Sequence, residues 1–223
     1  MLSVMRVFLR IGTVLSVIYL IIMVILAFTA DVKFPFEGMT NTAIYKVFPL
    51  HLACAINSYV MIFISAIAGV FVLLKRWKYA ESLHSAGIEL SLMYISFVIV
   101  SGMIWAKISW GTYWNWEPRL TAAAIYLFLL IALLILRNLS NLNDRAKIST
   151  IFTFIVILNI PFIHFATSWF GKSLHPESGT MSIPGYSDLK LIAWFTVFAL
   201  FFFSCTLLYM RVKLHFLRNQ IQK

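Results

Sequence analysis

Six long apolar segments separated by short polar ones dominate the pattern of hydrophobic and polar positions along the chain. They lie near residues 11–29, 47–74, 86–106, 120–136, 148–166 and 189–210. A helix needs roughly 20 mostly apolar residues to cross about 30 Å of hydrocarbon, and each segment approaches or exceeds that length. The pattern predicts an all-α polytopic membrane protein with six transmembrane helices, in which residues 1–223 form a single membrane domain.

Composition and charge add an orientation to this prediction. The chain is 61% hydrophobic and 12% charged, with a formal net charge of +10. Twelve of its 18 lysines and arginines fall in the terminal segments and alternate loops. By the positive-inside rule, both termini are then cytoplasmic, and the loops at 30–46, 107–119 and 167–188 face outward. The excess charge therefore indicates topology and contact with anionic lipid, and it does not indicate nucleic acid binding.

One external loop, at about 107–119, is unusually rich in aromatic residues. The stretch WGTYWNWEPRL and its approach contain Trp105, Trp110, Tyr113, Trp114 and Trp116. Tryptophan and tyrosine are common at membrane interfaces, so an interfacial belt is one interpretation. Their concentration in a single loop favours another, an aromatic surface on which a flat ligand can stack.

The end of this loop predicts the start of a helix. Pro118 disfavours helical geometry at Glu117 and suits a first helical turn, so we expect the fourth transmembrane helix to begin at Pro118. The free N–H groups of that helix end favour an anion. Arg119 adds a guanidinium group, which could pair with Glu117, a lipid phosphate or a carboxylate of a ligand.

The predicted topology sorts the five histidines into two groups. His84 and His215 fall in cytoplasmic segments among charged residues, where solvated surface histidines are expected. The other three fall on the outer side and are His51, His164 and His175. The chain has no C-x-x-C-H motif, so covalent attachment of haem as in a c-type cytochrome is not expected.

A flat apolar ligand that carries carboxylates would use the outer residues together. Haem fits this description, because histidine is a common axial ligand to its iron and its propionates would favour Arg119 or a helix N-terminus. The outer histidines are therefore candidates for the axial ligands of a haem iron.

Three segments resemble one known family. SGMIWAKISWGTYWNWEPRLT (101–121) resembles the tryptophan-rich WWD motif of haem-handling proteins in cytochrome c maturation. FPLHLACAINSYV (48–60) and NIPFIHFATSWFGKSLHP (159–176) resemble the CcmC segments that carry two external histidines. The motif is shared with the CcmF and CcsA proteins, which are usually much larger. The chain departs from the family pattern at Glu117, where aspartate is usual, and at Pro118, where a small residue is more common.

The resemblance to the CcmC family implies a haem-presenting protein and not a bond-making enzyme. Such a protein would hold a non-covalent, b-type haem on the periplasmic side of a bacterial inner membrane, over the tryptophan-rich loop and with His51 and His175 as the iron ligands. His164 could replace His175 in one state or contact a neighbouring helix. It would pass haem to the chaperone CcmE and work with the ABC transporter subunits CcmA and CcmB and the small membrane protein CcmD. Glu117 would keep the negative charge of the motif on a longer side chain.

Two other classes of protein remain open from the residues alone. A b-type membrane cytochrome would be an oxidoreductase and would also use paired histidines, although usually on facing helices within the membrane. A transporter subunit without haem ligation would leave the aromatic loop as an interfacial belt. Within the apolar segments, Asn57, Asn159 and Pro161 are expected at helix contacts and kinks, and Glu89 is a carboxylate that requires a partner or access to water.

Overall fold

The structure is a computed structural model, and it describes the chain in several ranges. These are residues 11–15, 17–22, 25, 29, 43–140, 144–171 and 186–221. Regular structure within them is entirely helical. Residues 11–15 and 17–22 are helical, and the later helices are α1 (Ala43–Leu73), α2 (Ala80–Trp110), α3 (Pro118–Leu139), α4 (Arg145–Leu158), α5 (Ile160–Trp169) and α6 (Tyr186–Ile221). His175 and most of the two longest predicted outer loops lie outside the described residues.

Five helical segments of the described chain are long and apolar enough to cross a membrane. They are Val47–Leu73, Ala80–Trp110, Pro118–Leu139, Arg145–Trp169 and Lys190–Arg218. These segments confirm the all-α class and five of the six predicted apolar segments as helices. Only part of the first predicted segment is described, so the count of six and the cytoplasmic termini stay predictions.

The segment Arg145–Trp169 is interrupted where α4 meets α5. Asn159 forms this junction, and its N–H donates to the carbonyl oxygen of Val156 at 3.1 Å. Pro161 follows in the first turn of α5 and has no N–H to continue the hydrogen-bond ladder of α4. Asn159 and Pro161 thus interrupt the helix at the place where a kink was expected.

Helix α1 ends in a motif that usually requires glycine. The N–H of Arg76 donates to the carbonyl oxygen of Phe71 at 3.2 Å, and that of Lys75 donates to Val72 at 3.1 Å. This pair of hydrogen bonds is a Schellman motif, which places one residue in the left-handed conformation. That residue is Lys75, with φ of 52°. A side chain in this conformation costs roughly 1–2 kcal/mol that glycine avoids.

We therefore expect Lys75→Gly to stabilise the protein by about 0.5–1 kcal/mol, because part of the relieved strain is offset by the greater freedom of glycine in the unfolded chain. The measurement is the unfolding midpoint in detergent micelles. Lys75→Ala is the matched control, since it removes the same charge and keeps the Cβ atom. If both variants gained the same stability, the cause would be the loss of the charge, and the conformational explanation would be wrong.

The helices form two compact units, which are described separately. The first consists of the described residues within Met1–Asn57, Phe97–Asn115 and Pro176–Thr206. In it, the side-chain amide of Asn57 on α1 donates to the carbonyl oxygen of Val197 on α6 at 3.3 Å, and Ser204 donates to the amide oxygen at 3.4 Å. The predicted helix-contact role of Asn57 is confirmed.

The second unit consists of the described residues within Ser58–Ser96, Trp116–His175 and Leu207–Lys223. Helix α3 packs there against α4 and α5. The buried residues of α3 recur with helical spacing along one face and are Ala122, Tyr126, Leu130, Leu133 and Arg137. The buried residues of α4 are Val156 and three that carry a hydroxyl group, Ser149, Thr150 and Thr153. Small residues let helix backbones approach closely in a membrane, where apolar burial alone gives little drive for association.

Helices α1 and α2 approach closely at Gly87 in the second unit. A Cβ atom added at Gly87 would lie 2.8 Å from the carbonyl oxygen of Met61 and 2.8 Å from Cβ of Ser65. The hydroxyl of Ser58 on α1 also donates to the carbonyl oxygen of Ser91 on α2 at 2.9 Å. Glycine is required at this position because backbone atoms of α1 occupy the space of a side chain.

Candidate functional site

His51 lies near the start of α1 and is held by α2 within the first unit. Its ring is half-buried, and its Nδ1 atom lies 2.9 Å from the hydroxyl oxygen of Ser101. The hydroxyl of Ser101 donates to the carbonyl oxygen of Phe97, one turn earlier in α2, at 2.7 Å. The histidine predicted as an iron ligand is therefore oriented by a hydrogen-bond contact with a second helix.

Gly102 makes the space for this ring. A Cβ atom at Gly102 would lie 3.3 Å from Cε1 of His51, which is tighter than an ordinary van der Waals contact. The imidazole therefore packs against bare backbone of α2. Sequence reasoning missed both Ser101 and Gly102, although two small residues, one polar, in succession within an apolar segment are a recognisable signal of a close helix contact.

The C-terminal turn of α2 carries the first tryptophans of the aromatic loop. The rings of Trp105 and Trp110 meet edge to face, with centroids 5.1 Å apart and an interplanar angle of 85°. The helix ends at Trp110, and Gly111 follows it with φ of 75°. Lys107 caps this end, since its ammonium group donates to the carbonyl oxygen of Gly111 at 2.9 Å and lies 5.2 Å from the centroid of the Tyr113 ring. The end of α2 thus brings two indole rings into contact and places a lysine beside the ring of Tyr113.

The remaining aromatic residues of the loop differ in exposure. Trp114 is half-buried, and its carbonyl oxygen accepts a hydrogen bond from Thr112 at 3.0 Å. Tyr113 is 56% exposed and Trp116 is 76% exposed, the latter in the second unit. Exposed indole and phenol rings are suited to stacking on a flat apolar ligand.

Helix α3 begins at Pro118, as predicted. Glu117 precedes it with extended backbone (φ −78°, ψ 158°), and its side chain is almost completely buried. Its carbonyl oxygen accepts the first helical hydrogen bond, from Thr121 at 2.9 Å. The acidic position of the tryptophan-rich motif thus forms the N-terminal boundary of α3.

Arg119 connects α3 to α5 in the second unit. One terminal nitrogen of its guanidinium group donates to the carbonyl oxygen of His164 at 3.3 Å and to the hydroxyl of Thr167 at 3.4 Å. The imidazole of His164 lies on an exposed face of α5, edge to face with Phe165 at 4.8 Å between centroids. Arg119 thus contacts the backbone of His164 and not its exposed ring.

The interpretation of His84 as a solvated surface histidine is wrong. His84 is completely buried in the second unit. Its Nδ1 atom lies 2.9 Å from the hydroxyl oxygen of Ser65 on α1, and its Nε2 atom lies 3.1 Å from that of Ser149 on α4. Gly69 provides room, because a Cβ atom there would approach Nδ1 to 3.3 Å. Hydrogen-bond partners on two helices replace the water that sequence reasoning assigned to this ring.

An ion-pair network adjoins His84 and explains the charged residues around it. The guanidinium group of Arg137 donates to Glu81 at 3.1 Å and to the hydroxyl of Ser149 at 2.9 Å. Arg145 donates to the same Glu81 oxygen at 3.2 Å. The side chain of Arg137 is only 8% exposed, so this carboxylate is needed to compensate a largely buried cation. The network joins α2, α3 and α4.

His215 is also not a solvated histidine. Its Nε2 atom lies 3.0 Å from a carboxylate oxygen of Glu89, and its side chain is 17% exposed. Arg211, one turn earlier in α6, donates through Nε to the other oxygen of Glu89 at 2.8 Å. The carboxylate in the apolar segment of α2 is therefore paired with two groups of α6.

Individual histidine side chains are the candidate ligands for iron in the described part of the chain. Among the described residues, no group of three or more histidine, cysteine or acidic side chains is arranged to hold a metal ion. A haem iron needs only axial ligands from the protein, and an imidazole oriented by a second hydrogen bond is a suitable one. His51, with the space at Gly102 and the contact with Ser101, meets this requirement.

Comparison with known proteins identifies the family. The family described as heme exporter protein C matches residues 2–223. The chain is 29% identical over 159 residues to a "Putative cytochrome c biosynthesis ccmC-like mitochondrial protein" of Marchantia polymorpha, which covers 71% of this chain and 68% of that protein. It is 27% identical over 181 residues to heme exporter protein C of Bradyrhizobium diazoefficiens, covering 80% of this chain and 67% of the relative. The corresponding protein of Escherichia coli is 27% identical over 172 residues, covering 76% of this chain and 69% of the relative. The chain, with its membrane-spanning helices, belongs to the heme exporter protein C family.

Proposed function

We propose that this protein binds haem at the periplasmic face of a bacterial inner membrane and hands it to a CcmE-type chaperone during cytochrome c maturation. Membership of the heme exporter protein C family supports a role in haem handling. The structural observation that carries the proposal is the imidazole of His51, which is fixed by Ser101 and packed on Gly102.

The proposed ligands of the iron are His51 and His175, with the haem held non-covalently as a b-type group. The aromatic residues of the loop would contact the porphyrin, namely Trp105, Trp110, Tyr113, Trp114 and Trp116. Glu117 and Arg119 belong to the same motif, and Arg119 would serve the propionates if it exchanged its contact with α5. His164 is the alternative histidine and is exposed on α5.

In this proposal the free energy of haem binding comes from two kinds of contact, aromatic stacking and iron coordination. An aromatic contact contributes about 0.5–1.5 kcal/mol beyond area burial, so several stacked rings hold haem loosely by themselves. Iron coordination supplies the remaining retention. Such a site suits transfer, because an acceptor can replace one ligand while the aromatic residues keep the porphyrin in place.

The distribution of lysine and arginine supports the proposed orientation. Both termini would be cytoplasmic, with six transmembrane helices, and the tryptophan-rich loop would face the periplasm. The partners would be the ABC transporter subunits CcmA and CcmB, the small membrane protein CcmD and the surrounding anionic lipid.

The proposal is tested by the absorption spectrum of the purified protein and by haem transfer. We expect the wild-type protein to copurify with low-spin, bis-imidazole haem, and His175→Ala to lose most of it. Incubation with the soluble domain of the chaperone should move haem to the chaperone faster than to an apoglobin that merely captures dissociated haem. Equal rates for both acceptors would contradict directed transfer.

The competing functions predict different results in the same assays. A b-type membrane cytochrome would keep its haem in the presence of the chaperone and would cycle between oxidation states with a quinone. A transporter subunit without haem ligation would purify without haem. Either result would replace the proposed function.

A further inference from the structure

We propose that Ser101 is a positioning residue that fixes the tautomer of His51, so that Nδ1 carries the proton and Nε2 presents the lone pair to iron. The role in iron binding rests on the function proposed above, whereas the tautomer itself does not. The two residues belong to different helices, α1 and α2, and both lie in the first unit.

The positions of the hydrogen atoms follow from three distances. The Ser101 hydroxyl oxygen lies 2.7 Å from the carbonyl oxygen of Phe97, 3.2 Å from that of Val98 and 2.9 Å from Nδ1 of His51. A hydroxyl has one hydrogen, and a carbonyl oxygen can only accept. Two oxygen atoms 2.7 Å apart require a hydrogen between them, so the hydroxyl hydrogen points to Phe97. The imidazole nitrogen must then be the donor to Ser101.

This assignment determines the chemistry of the other ring nitrogen. A neutral imidazole carries one N–H, so protonation at Nδ1 leaves Nε2 unprotonated. Only an unprotonated nitrogen can coordinate iron, and a hydrogen bond at the opposite nitrogen sets which one is available. Ser101 therefore selects Nε2 before haem arrives.

The neighbouring Gly102 holds the ring in the same orientation. Its backbone approaches Cε1 of His51 closely enough that a Cβ atom would lie at 3.3 Å. Ser101 and Gly102 are consecutive on α2, so one turn supplies both the acceptor for Nδ1 and the flat surface for the ring. The orientation of the imidazole is thus set by α2.

The first experiment needs no haem. Nitrogen NMR of haem-free protein with isotope-labelled histidine reports the tautomer of each ring, and the difference from His51→Gln assigns the His51 signals. We expect the wild-type ring to be protonated at Nδ1. In Ser101→Ala the ring should shift toward the Nε2-protonated tautomer, which histidine favours in water. Ser101→Thr should retain the wild-type tautomer, because threonine can form the same bonds through its hydroxyl.

The second experiment measures haem affinity in the same variants. Loss of a residue that orients a metal ligand typically costs about 10–100-fold in affinity, and we expect a decrease of that size in Ser101→Ala with recovery in Ser101→Thr. Ser96→Ala is the matched control. Its hydroxyl donates to the carbonyl oxygen of Leu92 at 2.8 Å, the same bond within the same helix, so its loss should leave both the tautomer and the affinity unchanged.

The outcomes separate this inference from the proposed function. An unchanged tautomer in Ser101→Ala overturns the inference whatever happens to haem, and so does a shifted tautomer with wild-type affinity. A decrease in affinity that Ser96→Ala shares would also overturn it, by indicating general damage to α2. A different result would contradict the proposed function, namely that His51→Ala binds haem as well as the wild-type protein does.

Discussion

The His51→Ala variant is expected to bind haem at least 100-fold more weakly than the wild-type protein and to copurify with almost none. Removing the imidazole deletes one of the two proposed iron ligands and leaves His175 with the aromatic contacts. A loss of at least 100-fold corresponds to about 2.8 kcal/mol or more. This exceeds the roughly 0.5–1.5 kcal/mol that any one aromatic contact contributes beyond area burial, so the aromatic residues cannot compensate for the lost ligand.

The substitution also creates a space that tests the assignment. The ring of His51 packs on Gly102, so His51→Ala leaves a ring-sized gap beside α2. Free imidazole added to the variant should enter that gap, coordinate the iron and restore both haem content and the low-spin spectrum. Haem content is measured by the pyridine haemochrome absorbance per mole of protein.

His164→Ala is the control for the loss of one histidine. The contact of His164 with Arg119 uses its backbone carbonyl oxygen, which alanine preserves, so we expect this variant to keep its haem. Undiminished haem with an unchanged spectrum in His51→Ala would contradict the role of His51. A loss confined to His164→Ala would move the ligand assignment to α5.

Features set by local chemistry could be predicted from the sequence. Pro118 has no N–H and a restricted φ angle, and these properties alone place the start of α3 whatever surrounds it. Asn159 and Pro161 interrupt an apolar segment for a similar local reason. The five confirmed segments follow in the same way from the length of apolar sequence that a bilayer requires.

Features set by distant partners could not be predicted. His84 has charged neighbours in sequence, which indicated a hydrated site. In the structure, however, its two ring nitrogens form hydrogen bonds with Ser65 and Ser149, which belong to two other helices. The same applies to Ser101, whose partner His51 is 50 residues away. A small polar residue in an apolar helix indicates a contact with another helix, but only the fold shows which residue is its hydrogen-bond partner.

The candidate site combines both cases. The tryptophan-rich loop and its acidic residue were recognisable as a motif because their composition is unusual. The contact of Arg119 with α5 was not among the expected alternatives. Its acceptor is a backbone carbonyl oxygen, which every residue has, so the identity of the residues does not reveal it. Motif recognition therefore identified candidate residues, and the structure supplied their partners.

Gly87→Val is expected to destabilise the second unit by about 3 kcal/mol or more, at the upper end of the cost of overpacking a core. The new side chain would have to occupy space already filled by the carbonyl oxygen of Met61 and by Ser65. Backbone atoms cannot move aside as a flexible side chain can, so α1 and α2 would have to separate. Their separation would also strain the hydrogen bond between Ser58 and Ser91.

The measurement is unfolding in mixed micelles with increasing denaturing detergent, followed by tryptophan fluorescence. Gly12→Val is the matched control, because a Cβ atom at Gly12 meets nothing within 4 Å, and its stability should stay within about 0.5 kcal/mol of wild type. Gly87→Ala should fall between the two, since the clash at Cβ remains while about 1 kcal/mol of helix propensity is gained. Equal stability of Gly87→Val and Gly12→Val would mean that α1 and α2 do not meet at this glycine, and the close packing inferred for them would be wrong.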